Sequence, residues 1–152
     1  LMTVKFPGRS KIFYSSFFLF LLMISSCCVF QTDPPDLRIT GQNYPSTVNA
    51  NQRFDLFYTV GNFSSGDCDA DNTTQSIVNL KMINQQTGAI QVNNNQTLNS
   101  LSNNSTQSFT FSVIIGPENA GTYNVIFTVD PNNTSGSVNT NNNTNTGVIV
   151  VN

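Results

Sequence analysis

Residues 106–115 read Thr-Gln-Ser-Phe-Thr-Phe-Ser-Val-Ile-Ile (TQSFTFSVII). Phe109, Phe111 and Val113 fall on one face of this segment, and Ser108, Thr110 and Ser112 fall on the other. That period of two is what a half-buried strand requires, and a helix cannot use it. The same alternation recurs on both sides. In Arg53 to Val60 (RFDLFYTV), Phe54, Leu56, Tyr58 and Val60 oppose Asp55, Phe57 and Thr59. Between Ile77 and Ile83, Val78, Leu80 and Met82 oppose Asn79 and Lys81. After the turn Gly116 to Gly121 (GPENAG), Thr122 to Val129 sets Tyr123, Val125, Phe127 and Val129 on one side.

Weaker segments complete the set. Asp36 to Thr40 places Leu37 and Ile39 together, Ala89 to Val92 follows the turn signal Gln-Gln-Thr-Gly, and Gly147 to Val151 supplies a last strand. Phe63–Gln75, Asn93–Ser105 and Pro131–Thr146 read as long polar loops. About seven short strands with polar turns between them predict an all-β, immunoglobulin-like antiparallel β-sandwich. Its expected structural core is Phe54, Leu56, Tyr58, Leu80, Phe109, Phe111, Tyr123 and Phe127. Tyr123 follows Gly121-Thr122 at a strand start, the place of the tyrosine corner in such folds.

Composition narrows function before any motif does. The chain has 152 residues, six Lys plus Arg, eight Asp plus Glu and no histidine. Without histidine there is no Ser-His or Cys-His catalytic pair and no imidazole metal ligand. Glu118 is the single glutamate and sits in a turn, so the facing carboxylates of a glycosidase are not available. No enzyme is expected. A pI near 4.6, with no basic cluster beyond Lys11, excludes a nucleic-acid footprint. Asparagine takes the place of charge on outward positions, with 23 copies, all after residue 42.

The first thirty residues carry a different message. Lys5, Arg9 and Lys11 precede the apolar run Ile12 to Ile24 (IFYSSFFLFLLMI), which ends in Ser25, Ser26 and Cys27. Positive start, apolar stretch and small residues are the layout of a secretory signal. Ile24-Ser25-Ser26-Cys27 resembles the bacterial lipobox, in which the cysteine thiol receives the lipid and becomes the first mature residue. The expectation is a lipoprotein-type signal at 2–26, a short spacer at 27–35 and a single module at 36–152. Plain secretion and an uncleaved anchor are the alternatives. Cleavage leaves three cations against eight anions, a net charge of −5, too few positive groups to steer onto anionic lipid. Lipid on Cys27 would therefore be the membrane contact.

If Cys27 is lipidated, Cys28 and Cys68 are the remaining thiols; they either pair in an oxidising compartment or stay as unpaired polar-loop residues. Around Cys68 lies the densest acidic run, Gly66-Asp67-Cys68-Asp69-Ala70-Asp71-Asn72. Asp67, Asp69 and Asp71 match positions 1, 3 and 5 of a calcium loop, but Asn72 replaces the glycine and Val78 the bidentate glutamate. Calcium is thus a weak candidate ion here, and exposed turn residues are the plainer reading. Phe63, Asp67, Asp69, Asp71 and Asn72 together form the candidate binding loop. Phe57 and Phe63 are either ligand-stacking aromatics or a second packed layer. Eight Asn-x-Ser/Thr sequons, at Asn62, Asn72, Asn95, Asn103, Asn104, Asn132, Asn133 and Asn142, stand against about five that this composition would give, weak evidence for a eukaryotic glycoprotein.

An ordered set of short motifs points further. Pro35-Asp36-Leu37 opens the module, and Tyr44-Pro45-Ser46-Thr47-Val48 leads to Phe54-x-x-x-Tyr58-Thr59-Val60-x-Asn62. Gly121-Thr122-Tyr123, Val129-Asp130-Pro131-x-Asn133 and Asn142-Asn143 follow in order. This set resembles the bacterial cell-adhesion-related domain (CARDB), from about Pro35 to Val151. One departure stands out: Ser137 and Thr140 occupy positions where the family commonly carries acids, so any cation contact of those acids is in doubt here. The resemblance implies an adhesion, spacer or binding unit of exported proteins. The expected function is a non-catalytic, lipid-anchored cell-envelope module that binds a protein or polysaccharide. The alternative is an assembly subunit whose partner adds a strand to an exposed sheet edge.

Overall fold

The computed structural model describes residues 34–64 and 74–152, within a compact unit spanning Asp33–Asn152. Cys27, Cys28, Cys68, Asp67, Asp69, Asp71 and Asn72, and with them the lipidation and calcium-loop expectations, lie outside the described residues.

The two strongest alternating segments pair with each other. β3 (Phe54–Asn62) runs antiparallel to β6 (Thr106–Val113), with Leu56 opposite Phe111 and Tyr58 opposite Phe109. β1 (Leu37–Asn43) adds to the other side of β3, with a register shift between Ile39 and Gly41. The second sheet has five strands in the order β2-β8-β7-β4-β5. Its members are β2 (Thr47–Val48), β4 (Ser76–Asn84), β5 (Ile90–Leu98), β7 (Gly121–Val129) and β8 (Thr144–Val151). All neighbours in it are antiparallel except β2 and β8, which run parallel. A three-residue 3-10 turn, Pro117–Asn119, occupies the expected turn before β7.

Packing follows the alternation. Leu56, Tyr58, Phe109 and Phe111 of the small sheet meet Leu80, Tyr123 and Phe127 of the large one in one continuous core, which also takes in Phe54. All eight are buried, none more than 7% exposed. Tyr58 stacks on Phe127, and Phe111 meets the same ring edge-on at 5.8 Å and 76°. The Tyr123 hydroxyl donates back to the Asn119 carbonyl, the link that defines a tyrosine corner. Leu98, Leu101 and Ile115 join the core from segments read as loops or strand ends.

Among the described residues the strands number eight, in keeping with the about seven expected, the addition being Thr47–Val48, a lead-in that pairs with Val150 and Val151. Three expectations of the sequence are corrected. β5 runs to Leu98, so Asn93–Ser105 is not one loop. Both faces of β5 are largely exposed, which erases the apolar alternation a strand ordinarily shows. Asn79 holds it instead: its Nδ2 donates to Asn93 Oδ1 at 2.8 Å and to Asn95 Oδ1 at 2.6 Å. β8 starts at Thr144, inside the asparagine-rich stretch read as loop. Finally, Pro35 is no spacer residue. It is buried, and its carbonyl accepts from Val138 N at 3.1 Å.

Candidate functional site

The binding loop anticipated from sequence leaves the small sheet at Phe63, and that ring is already occupied. Phe63 folds back over Gly61, where any Cβ would collide with it, and the Arg38 guanidinium lies 4.2 Å above its centroid. Phe63 therefore packs against its own strand and carries a guanidinium over its ring. Its backbone N–H donates to Asp36 O at 2.9 Å. Phe57 is different: it is 45% exposed on the outer face of the small sheet. It stands between Asn43 and Thr110 on the neighbouring strands.

Beside Phe57, Arg53, Asp55 and Ser112 form a closed polar network. Ser112 Oγ donates to Asp55 Oδ1 at 2.6 Å, and Arg53 Nη2 donates to Ser112 Oγ at 2.6 Å. The Ser112 hydrogen bond, with help from Arg53, holds the Asp55 carboxyl below its usual range.

The segment Pro34–Leu37 stitches two loops together at one end of the sandwich. Asn62, fully buried, is the hub. Its Oδ1 accepts from Asp36 N and its Nδ2 donates to Leu101 O, both at 3.1 Å. On the other side Leu37 N donates to Ser137 Oγ at 3.1 Å, and Asn142 Nδ2 donates to Asp36 Oδ1 at 3.1 Å. Ser137 thus serves as a short buried acceptor for the first strand.

Asp130 turns the chain after β7, its carbonyl accepting from Asn133 N at 2.8 Å, and it is buried at 3% exposure. Its φ of 44° is left-handed, a conformation aspartate tolerates better than most residues. One carboxylate oxygen accepts from Thr134 N (2.9 Å) and Thr134 Oγ1 (2.5 Å), the other from Ser135 N (2.8 Å) and Ser135 Oγ (2.6 Å). Burial works to raise the pKa of this group, and the Ser135 and Thr134 hydrogen bonds overcome it and hold it low. The carboxylate is fully spent on folding its own loop. Glu118 is similarly engaged, accepting from Asn119 Nδ2 at 2.9 Å. Among the described residues no three Asp, Glu or Cys side chains gather as a metal cluster.

The sheet edges are guarded. Gln96 Nε2 donates to Thr110 O (2.7 Å), and Gln107 Nε2 donates to Thr97 O (3.2 Å), linking β5 to β6 across one side. On the opposite side Asn142 O accepts from Ile39 N of β1, while β2 covers β8. Side chains and short segments blunt the edges in the way β-proteins commonly resist unwanted pairing.

No curated protein matches the chain. Among solved structures, it is similar to the CARDB domain of a Pyrococcus furiosus protein in complex with di-metal ions. That match has 24% identity and a TM-score of 0.62, and it covers 80% of this chain and 96% of that one. A domain of a candidate cell surface protein from Methanosarcina acetivorans matches at 24% identity and TM-score 0.54, covering 78% and 93%. A β-glucosidase from Listeria innocua in complex with glucose shares the fold alone, at 10% identity and TM-score 0.51, over 16% of its length. The family model described as CARDB matches residues 34–147, most of the chain and nearly all of its described part, and the chain belongs to the CARDB family.

Proposed function

We propose that this protein is a non-catalytic cell-envelope module, anchored by lipid on Cys27, that attaches a protein or polysaccharide of the cell surface. The observation that carries the reading is the state of the described carboxylates. Asp36, Asp55 and Asp130 are hydrogen-bonded into the scaffold, and Glu118 sits in a turn. None of them faces another across a cleft, as acid–base hydrolysis requires. Binding asks only for a rigid sandwich that presents loops and faces, and the CARDB relative from a candidate surface protein supports that setting.

The contact residues in this reading are Asp67, Asp69, Asp71 and Asn72, which follow Phe63 in the sequence. Calcium at those aspartates belongs to the same proposal. The metal-bound domain from Pyrococcus furiosus supports a cation in a module of this kind. Strand addition at a sheet edge would have to displace the Gln96 and Gln107 cross-links or the β2 cover, so binding through the loop end is preferred. Cell fractionation tests the anchor: Cys27→Ser is expected to move the protein to the soluble fraction or leave it as precursor. A membrane-bound, normally processed C27S protein would contradict it.

A further inference from the structure

Four buried side-chain polar atoms without a hydrogen-bond partner lie on one short stretch. They are the Oδ1 atoms of Asn142 and Asn145 and both amide atoms of Asn143. Asn143 is 3% exposed. A buried carboxamide with both ends unmet is costly, and native structures satisfy such groups with protein, water or an ion. Four in four residues is a local feature of this chain that calls for one occupant.

The backbone places these groups where the two sheets meet. Asn142 O accepts from Ile39 N of β1 at 3.4 Å, and Asn143 O accepts from Val129 N of β7 at 2.8 Å. At residues 142–143 the chain therefore crosses from the edge of the small sheet to the large one. Asn145 stands opposite Phe127 on β8, and Asn143, buried, lies just before the strand begins. Asn142 Nδ2, bonded to Asp36 Oδ1, brings a carboxylate alongside. Other oxygens nearby are committed: Ser137 Oγ to Leu37 N, and the Asp130 carboxylate to Thr134 and Ser135.

Three of the four unmet atoms are carbonyl oxygens, and with a carboxylate beside them they make a hard, oxygen-only donor set, the kind calcium takes. Water alone would have to donate to three oxygens at once. A cation meets all three, and a water in its shell has a lone pair left to accept from Asn143 Nδ2. We infer that Asp36, Asn142, Asn143 and Asn145 hold one hard cation of the calcium class, which clasps β1 to the start of β8. A single negative charge makes the site weak, with affinity in the roughly millimolar range of extracellular modules. This donor set shares no residue with the 65–73 segment and does not depend on what the module binds.

The test is thermal unfolding of the full chain in calcium chloride against EDTA at matched ionic strength. The midpoint is expected to rise with calcium as a ligand of the native state requires. Asn143→Asp keeps the shape and adds charge, so it should lower the calcium concentration needed by about tenfold. Asp36→Asn should raise it. A triple Asp67→Asn, Asp69→Asn, Asp71→Asn variant should keep the response, which separates this site from the loop. The inference is overturned if calcium leaves the midpoint unchanged, or if the response survives N143D unaltered and disappears in the triple variant. A crystal grown with calcium that shows only a water at hydrogen-bond distance from Asn143 would overturn it as well.

Discussion

The rings of Tyr58 and Phe127 lie 3.9 Å apart and parallel to within 1°, one from each sheet. Aromatic pairs left to their electrostatics prefer an offset or an edge-on approach at larger separation. This face-to-face contact is therefore imposed by the packing of the two sheets, and Phe111, edge-on to Phe127, supplies the more favourable geometry beside it. Burial, with Tyr44 nearby, pushes the Tyr58 hydroxyl well above its ordinary range, so it stays protonated at any physiological pH.

Phe127→Ala should remove the ring that both neighbours share and cost about 3–5 kcal/mol. Phe57→Ala, on the exposed outer face of the same sandwich, should cost far less. Urea unfolding of the two variants checks the inside–outside assignment. Equal losses would show that β3 is set in the wrong register.

Gly147 sits under the Tyr44 hydroxyl, in the space a Cβ would need. Gly147→Ala is expected to destabilise by about 1–3 kcal/mol through overpacking. Tyr44→Ala in the same chain should return part of that loss, although it carries a cost of its own. A double-mutant cycle measures the coupling, and strictly additive effects would place the two residues apart.

Asp130 fixes the sign of one pH dependence. Its folded-state pKa lies below the ordinary carboxylate value of 3.8, so the ionised form is the one the fold favours. The stabilisation is present above pH 4 or so and drains away as the pH falls through the lower, folded value. Asp130→Asn should flatten that acid limb and cost about 1–3 kcal/mol at neutral pH, because Thr134 and Ser135 lose their acceptor. Melting curves between about pH 2 and pH 7 decide it; an unchanged acid limb would assign the dependence to another group.

The sandwich was legible wherever one face of a strand is buried and the other wet, as at Phe54–Val60, Thr106–Val113 and Thr122–Val129. It was illegible in β5, where asparagine on both faces leaves no alternation and the Asn79 amide holds the strand. β2 escaped because two residues cannot display a period. Asparagine abundance did carry a signal that composition alone could not place. Asn51, Asn104 and Asn133 adopt the left-handed conformation at turns, and Asn62 and Asn143 are buried. The sequence left Phe63 open between ligand stacking and packing, because Arg38, which covers the ring, lies 25 residues earlier and only the pairing of β1 with Gly61 brings it near. The buried role of Asp130 had a local cue in Thr134 and Ser135 downstream, but nothing in the sequence says that the turn is packed inward.

Attachment of the purified full chain to isolated cell envelopes tests the functional reading most directly, with the parent compared with a variant whose residues 65–73 are replaced by a Gly/Ser linker. The parent should bind saturably and the variant should lose most of that binding, while both melt at the same temperature and neither hydrolyses envelope polysaccharide. Undiminished attachment by the loop variant would contradict the placement of the contact surface. Absence of binding by the parent, or hydrolysis that tracks with the pure protein, would contradict the function itself.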